Sequence, residues 1–217
     1  MDKLEWDGKI ILPCHVIGAG PSMAGKTKTL LSLLQDRDRL FAPRITCVVI
    51  FTREDQKLFH DFKAANPDLR VILRIGEPKD FVQLDQYWDK TGQNILFLDD
   101  VSYSTLQSPQ LSDAATAIRH KGVSIFMTLH RIFGPSQAFR RTLCNFSIFL
   151  LMGTRRMSRD VVILDSQNGL DGVLKTVFNY ILSKGYKYLM LDLSTNCPEL
   201  ARYRIVEPNS LRLFVTD

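Results

Sequence analysis

The sequence predicts an α/β sandwich, with a mainly parallel sheet covered by helices on both faces. Two observations predict it. Short, nearly continuous apolar runs rich in β-branched residues recur along the 217 residues, and longer amphipathic stretches separate them, which is the pattern of strands buried on both faces and joined by crossover helices. A third observation fixes the order at the start, where the run from Ile10 to Ile17 feeds a glycine-rich loop and then a helix.

The elements follow from composition and spacing. After the first strand and loop, KTKTLLSLLQDRDRLF from Lys26 brings Leu30, Leu31, Leu33 and Leu34 to helical spacing, with Pro43 just beyond the expected end. ITCVVIFT reads as the second strand, Glu54 to Ala65 as a polar helix, VILRI as a short strand and Asp80 to Lys90 as a helix. NILFLDD is an apolar strand ending in two acids. A helix around Gln110 to His120 leads into the strand GVSIFMTL, and FSIFLLMG and KYLMLDL read as two further strands.

One domain is expected over residues 1–217, with its core from about 10 to 206, because 45% hydrophobic content can fill one core and no repeat or Pro/Gly/Ser-rich linker divides the chain. Lysine and arginine exceed the acids by five, which permits a polyanionic partner without requiring one. The N-terminus MDKLEWDGK carries no apolar segment of the signal-peptide kind, and no apolar run approaches the roughly eighteen residues that a membrane span needs. Cys14, Cys47, Cys144 and Cys197 are scattered, without metal-ligand spacing, and read as reduced thiols. His15, His60 and His120 show no evident partner in the sequence.

Gly20, Pro21, Ser22, Met23, Ala24, Gly25, Lys26 and Thr27 match the phosphate-loop pattern G-x-x-x-x-G-K-S/T in its required strand-to-helix setting. The glycines let successive amides point at phosphate oxygens, Lys26 can reach the β- and γ-phosphates of ATP, and the Thr27 hydroxyl can ligate Mg²⁺. Lys28 and the helix dipole add positive potential at the same end. Asp99, directly off its strand, can hold the same metal, and Asp100 is the candidate general base.

The phosphate loop and the acids are separated by an additional strand. That order points to the RecA-like, AAA-like branch of phosphate-loop NTPases, in which an arginine from a neighbouring subunit completes each site. Arg119, Arg131, Arg140, Arg141, Arg155 and Arg156 are the candidates. Thr128 or His130, at the end of GVSIFMTL, could sense the γ-phosphate. The basic stretches Arg119 to Lys121 and Thr154 to Arg159 could meet a DNA backbone, although a solvated basic face is the more common explanation for either.

The ordered segments GPSMAGKT, LLSLLQDRDRLF, NILFLDDV, RHKGVSIFMTLHRIF, FRRTLCNFSIFLLMGTRRMSRD and GYKYLMLDLSTNCPELARYRI resemble the poxvirus-type genome-packaging ATPases of the FtsK–HerA superfamily, including those of Maverick/Polinton elements. The resemblance runs from about Ile10 to Ile205. It implies a RecA-like, three-layer P-loop NTPase fold in which Lys26 and Thr27 bind ATP and Mg²⁺ and the acid pair falls on Asp99 and Asp100. It also implies a trans arginine finger at Arg141, or Arg140.

Two departures stand out. Many relatives have Gln-Asn where this chain has Leu129 and His130, and the second acid is Asp where much of the superfamily has Glu. The resemblance further implies a homo-oligomeric ring, a pentamer or hexamer, that translocates double-stranded DNA into a preformed capsid. Contact with the capsid or its portal vertex follows, as does residence at the virus assembly site inside the host cell and in the virion. The alternative is a nucleotide-binding assembly or scaffold protein with weak or no hydrolysis.

Overall fold

The computed structural model describes residues 8–78, 82–133, 147–185, 187–195, 197–207 and 210–213. The expected first strand divides in two. Pro13 has no N–H to give to a sheet ladder, so the run breaks there. β1 (Ile10–Ile11) leaves the main sheet to pair in parallel with β3 (Phe41–Ala42), and β2 (His15–Ala19) alone enters the centre. The long predicted helix also divides, into α1 (Lys26–Gln35) and α2 (Arg37–Leu40), before the chain turns into β3.

β4 (Ile45–Thr52) and β5 (Arg70–Ile75) flank α3 (Lys57–Ala65). The stretch read as a helix near residue 85 is a short 3-10 helix, Val82–Tyr87. β6 (Gln93–Asp99) carries the acid pair, and α4 (Tyr103–Gln107), α5 (Pro109–Ala117) and a 3-10 turn lead to β7 (Val123–Leu129). β8 (Ser147–Met152) is followed by α6 (Ser158–Gln167), α7 (Val173–Lys184), β9 (Tyr188–Asp192), β10 (Tyr203–Glu207) and β11 (Ser210–Leu213).

Among the described residues the main sheet has nine strands, in the order β11-β10-β9-β8-β2-β7-β6-β4-β5. From β8 to β5 every pairing is parallel, and β9, β10 and β11 add antiparallel at the other edge. β7, which follows the acids in sequence, lies between the phosphate-loop strand β2 and the acid-bearing strand β6, whereas β4 and β5, which separate loop and acids in sequence, lie beyond β6.

Each central strand divides its side chains between two cores. Val16, Val48, Ile50, Ile95, Phe97, Phe126, Ile148 and Leu150 pack on α1 and α3, through Leu30, Leu34, Phe59 and Phe62. The alternate residues Ile17, Val49, Leu96, Leu98, Ile125, Met127 and Phe149 pack on the second helical layer, through Leu111, Leu164, Leu174 and Phe178. The period of two along the strands and the helical spacing opposite them produce three layers.

Two histidines have partners that the sequence did not reveal. His15 Nε2 lies 2.9 Å from the Ala115 carbonyl, while its Nδ1 accepts the Ile125 N–H at 3.1 Å, so α5 and β7 are both tied to the start of β2. His60 meets Asp55 at 2.6 Å. Cys14 and Cys47 are buried and Cys197 is half-buried, none of the three in a disulfide; Cys144 lies outside the described residues.

Candidate active site

The parallel strands β2, β6 and β7 end at one edge of the sheet, and that edge gathers the residues read from the sequence. The loop leaves β2 between its two neighbours. Gly20 N–H donates to the Leu129 carbonyl of β7 at 3.0 Å, and a Cβ on Gly20 would stand only 2.8 Å from Met152 Cβ at the end of β8. No side chain fits there, which is the physical reason for the first glycine of the motif. Gly25 caps α1 with φ of 81°, a left-handed conformation that glycine adopts at little cost.

Ser22 and Met23 are exposed, and Lys28 points outward from the first turn of α1. Lys26 is buried to 8% exposure, and its Nζ donates to the Pro21 carbonyl at 2.9 Å, closing the loop on its own lysine. Burial holds its pKa below the ordinary lysine value, partly offset by the Asp100 and Asp99 carboxylates.

Asp99, at the end of β6, is the centre of the cluster at 3% exposure. The Thr27 hydroxyl donates to its Oδ1 at 2.7 Å and the Thr128 hydroxyl donates to the same oxygen at 2.9 Å. Burial pushes the Asp99 carboxyl above the usual carboxylate range, against the two hydroxyl bonds that favour its ionised form. Asp100 follows in the left-handed region at φ of 49°, with its N–H donating to Thr128 Oγ1 at 3.0 Å. Its Oδ1 lies 3.2 Å from His130 Nε2, and both side chains are 57% exposed.

Of the two candidate sensors, Thr128 therefore spends its proton on Asp99 and accepts from the Asp100 amide, while His130 addresses Asp100. The residues that fit a metal are oxygen donors, Thr27 and Asp99, suited to a hard divalent cation that keeps most of its own waters. Among the described residues no group of three or more His, Cys, Asp or Glu could hold a metal alone.

Two features of the site went unread in the sequence. The Tyr188 hydroxyl, at the start of β9, donates to the Ala24 carbonyl at 2.6 Å and ties the phosphate loop to the antiparallel half of the sheet. Lys187 stands beside it, its Nζ 5.7 Å from the centre of the Tyr188 ring. The only sequence signal was a tyrosine opening an apolar strand, which a core reading absorbs.

The arginine candidates divide. Arg140 and Arg141 lie outside the described residues, as does the side chain of Arg119. Arg131 is exposed just after β7, and Arg155 and Arg156 are exposed in the 3-10 turn after β8, at the same sheet edge as the phosphate loop. Lys121 precedes β7 and so lies at the opposite edge, where it pairs with Asp85 at 2.6 Å. The two basic stretches read from the sequence thus belong to opposite edges of the sheet.

No protein-family model matches the chain and no curated protein does. Solved structures do. The genome packaging NTPase B204 from Sulfolobus turreted icosahedral virus 2, in complex with AMP, superposes with a TM-score of 0.56 at 13% identity, covering 90% of this chain and 97% of that one. B204, the DNA-packaging ATPase from Sulfolobus turreted icosahedral virus, gives 0.56 at 14% identity over 91% and 98%. The complex of B204 with ATP-gammaS gives 0.54 at 13% over 90% and 97%. At these identities the likeness shows a shared α/β fold across nearly the whole chain.

Proposed function

We propose that this chain is an ATP-hydrolysing motor that translocates double-stranded DNA and packages a viral genome into a preformed capsid. The observation that carries the reading is the convergence of the Thr27 and Thr128 hydroxyls on one buried oxygen of Asp99, beside a glycine loop closed by Lys26. Such an arrangement serves a metal-nucleotide and has little purpose in a structural turn. The fold shared with the nucleotide-bound packaging NTPase B204 supports the same reading.

In this proposal residues 20–28 cradle the phosphates of ATP, Lys26 binds the terminal phosphates, and Thr27 and Asp99 hold Mg²⁺. The metal supplies charge neutralisation at the transferring phosphoryl group. Asp100 orients water and accepts its proton. An arginine from the neighbouring subunit of a pentameric or hexameric ring, Arg141 or Arg140, completes the site. We assign the chain to the poxvirus-type packaging ATPases on the motifs quoted above, with the capsid or portal vertex as its docking partner and the host cell's virus assembly site as its place of work. Among the described residues no helix is long and apolar enough to cross a membrane.

The test is ATP turnover with Mg²⁺, with and without duplex DNA. Stimulated turnover is the expected result, and folded protein that hydrolyses in neither case overturns the motor. A second reading, a nucleotide-binding scaffold, is favoured by the contact of His130 on Asp100. Asp100→Asn separates the two: a motor variant binds ATP and stalls, whereas assembly of a scaffold is unaffected.

A further inference from the structure

We propose that Lys187 is a second phosphate-binding ammonium of this site, supplied in cis from β9 and directed at the polyphosphate of the nucleotide. The juxtaposition that carries it lies at Gly25, where an added Cβ would stand 3.4 Å from both Lys187 Nζ and the Tyr188 hydroxyl. The inference rests on the nucleotide-binding reading above and extends it to a residue outside the phosphate-loop motif.

β9 reaches the loop because it runs antiparallel to β8. Its first residues therefore lie at the edge where the parallel strands end: Tyr188 is opposite Met152, and Gly153 N–H donates to the Lys187 carbonyl at 2.9 Å. Tyr188 is buried and bonded to the Ala24 carbonyl, so the backbone that carries Lys187 is fixed against the loop. The Lys187 side chain is exposed, and among the described residues no carboxylate lies within ion-pair distance of its Nζ.

A cation in this place joins other positive groups at the loop. α1 begins at Lys26, and its free amides carry partial positive charge. Lys26 is already buried at that end and Lys28 follows in the first turn. A third ammonium beside Gly25 adds to the positive potential that Lys26, Lys28 and the free amides already bring to the loop, and a polyanion seated in the loop would meet all of it. Lysine suits the task as a point charge on a flexible stem that can follow phosphate oxygens.

The test uses the whole chain with inorganic pyrophosphate and ADP as probes, measured by calorimetry on wild type, Lys187→Ala, Lys187→Gln, Lys187→Arg and Lys26→Ala. Loss of one charge-assisted contact to a phosphate weakens both probes by about tenfold or more in the Ala and Gln variants. Arg, which keeps the charge, recovers most of the affinity. The Tm of ligand-free Lys187→Ala stays equal to wild type or rises, whereas a structural lysine would lower it.

Binding of both probes within twofold of wild type by Lys187→Ala and Lys187→Gln, while Lys26→Ala loses it, overturns this inference and leaves the nucleotide site standing. A folded wild-type protein that binds neither probe overturns both.

Discussion

Replacing Thr128 by Val tests whether the two halves of the site are held by one hydroxyl. Valine keeps the volume and the β-branch and removes only the oxygen, so packing at a position 5% exposed is conserved. Two hydrogen bonds disappear, the 2.9 Å bond to the Asp99 carboxylate and the 3.0 Å bond from the Asp100 amide. The first is worth about 2 kcal/mol as a bond to a charged group and the second about 1 kcal/mol, for a loss of about 3 kcal/mol.

In a chain of this length that lowers Tm by roughly 6 to 12 °C. The Asp100 backbone, at φ of 49°, also loses the contact that holds a conformation costing about 1–2 kcal/mol. Its carboxylate then relaxes away from the water it is proposed to orient, and a displacement of that kind lowers kcat by about a hundredfold. KM for ATP is expected to change little, because Thr128 is engaged by the acids and not by the loop.

Equilibrium unfolding and steady-state hydrolysis measure the two effects, and Thr128→Ser, which retains the hydroxyl, should recover both. Thr128→Val with unchanged stability and unchanged turnover would refute the reasoning.

Two further predictions concern the antiparallel half of the sheet. Arg204 and Asp192 form an ion pair at 3.2 Å with side chains only 3% and 2% exposed. Asp192→Ala leaves a buried guanidinium without its carboxylate counter-charge and is expected to cost about 3–5 kcal/mol in denaturant unfolding, while Asp192→Leu combined with Arg204→Met recovers most of that loss. The Cys197 thiol is pushed from 9.0 up to about 12, first by burial and then by the Asp192 charge. An acid whose folded pKa is raised keeps its proton in the folded chain after the unfolded chain has lost it. Its contribution is therefore intact below pH 9 and is lost as pH rises from 9 to 12. The pH dependence of unfolding should be shallower over that window in Cys197→Ser, whose hydroxyl does not ionise there, and identical slopes would contradict the assignment.

The parallel core was legible because its strands are apolar on both faces. ITCVVIFT, VILRI, NILFLDD, GVSIFMTL and FSIFLLMG each contain a strand, in the expected order along the chain. The glycine loop and acid pair that meet in the candidate site were legible because each is local in sequence: Gly20 to Thr27 on one turn, Asp99 and Asp100 on another. What escaped were contacts decided by sheet order. Ile10 to Ile17 contains a proline whose missing donor sends its first residues to a separate ribbon, a signal that was present and outweighed by hydrophobicity. His15 looks solitary in sequence because its partners, Ala115 and Ile125, lie about a hundred residues away. Tyr188 reaches Ala24 across 164 positions, and no periodicity announces a hydroxyl bond of that kind. Thr128 was readable as the polar end of a strand, and only the pairing of β7 between β2 and β6 shows that it serves both acids.

The insertion of β7 between the two motif strands also governs when the candidate site can form during synthesis. The loop on β2 and the acids on β6 are complete once residue 100 has left the ribosome, yet they are not adjacent, and the strand that joins them ends at Leu129. Until β7 enters, Gly20 lacks the carbonyl that anchors it and Asp99 lacks the second hydroxyl. A β7 displaced by one residue would turn Thr128 to the other face of the sheet and remove both contacts together. Under the proposed function, nucleotide capture by a nascent chain would thus report that the central strands have closed in the correct register, and the ligand would inspect assembly before the protein performs any work.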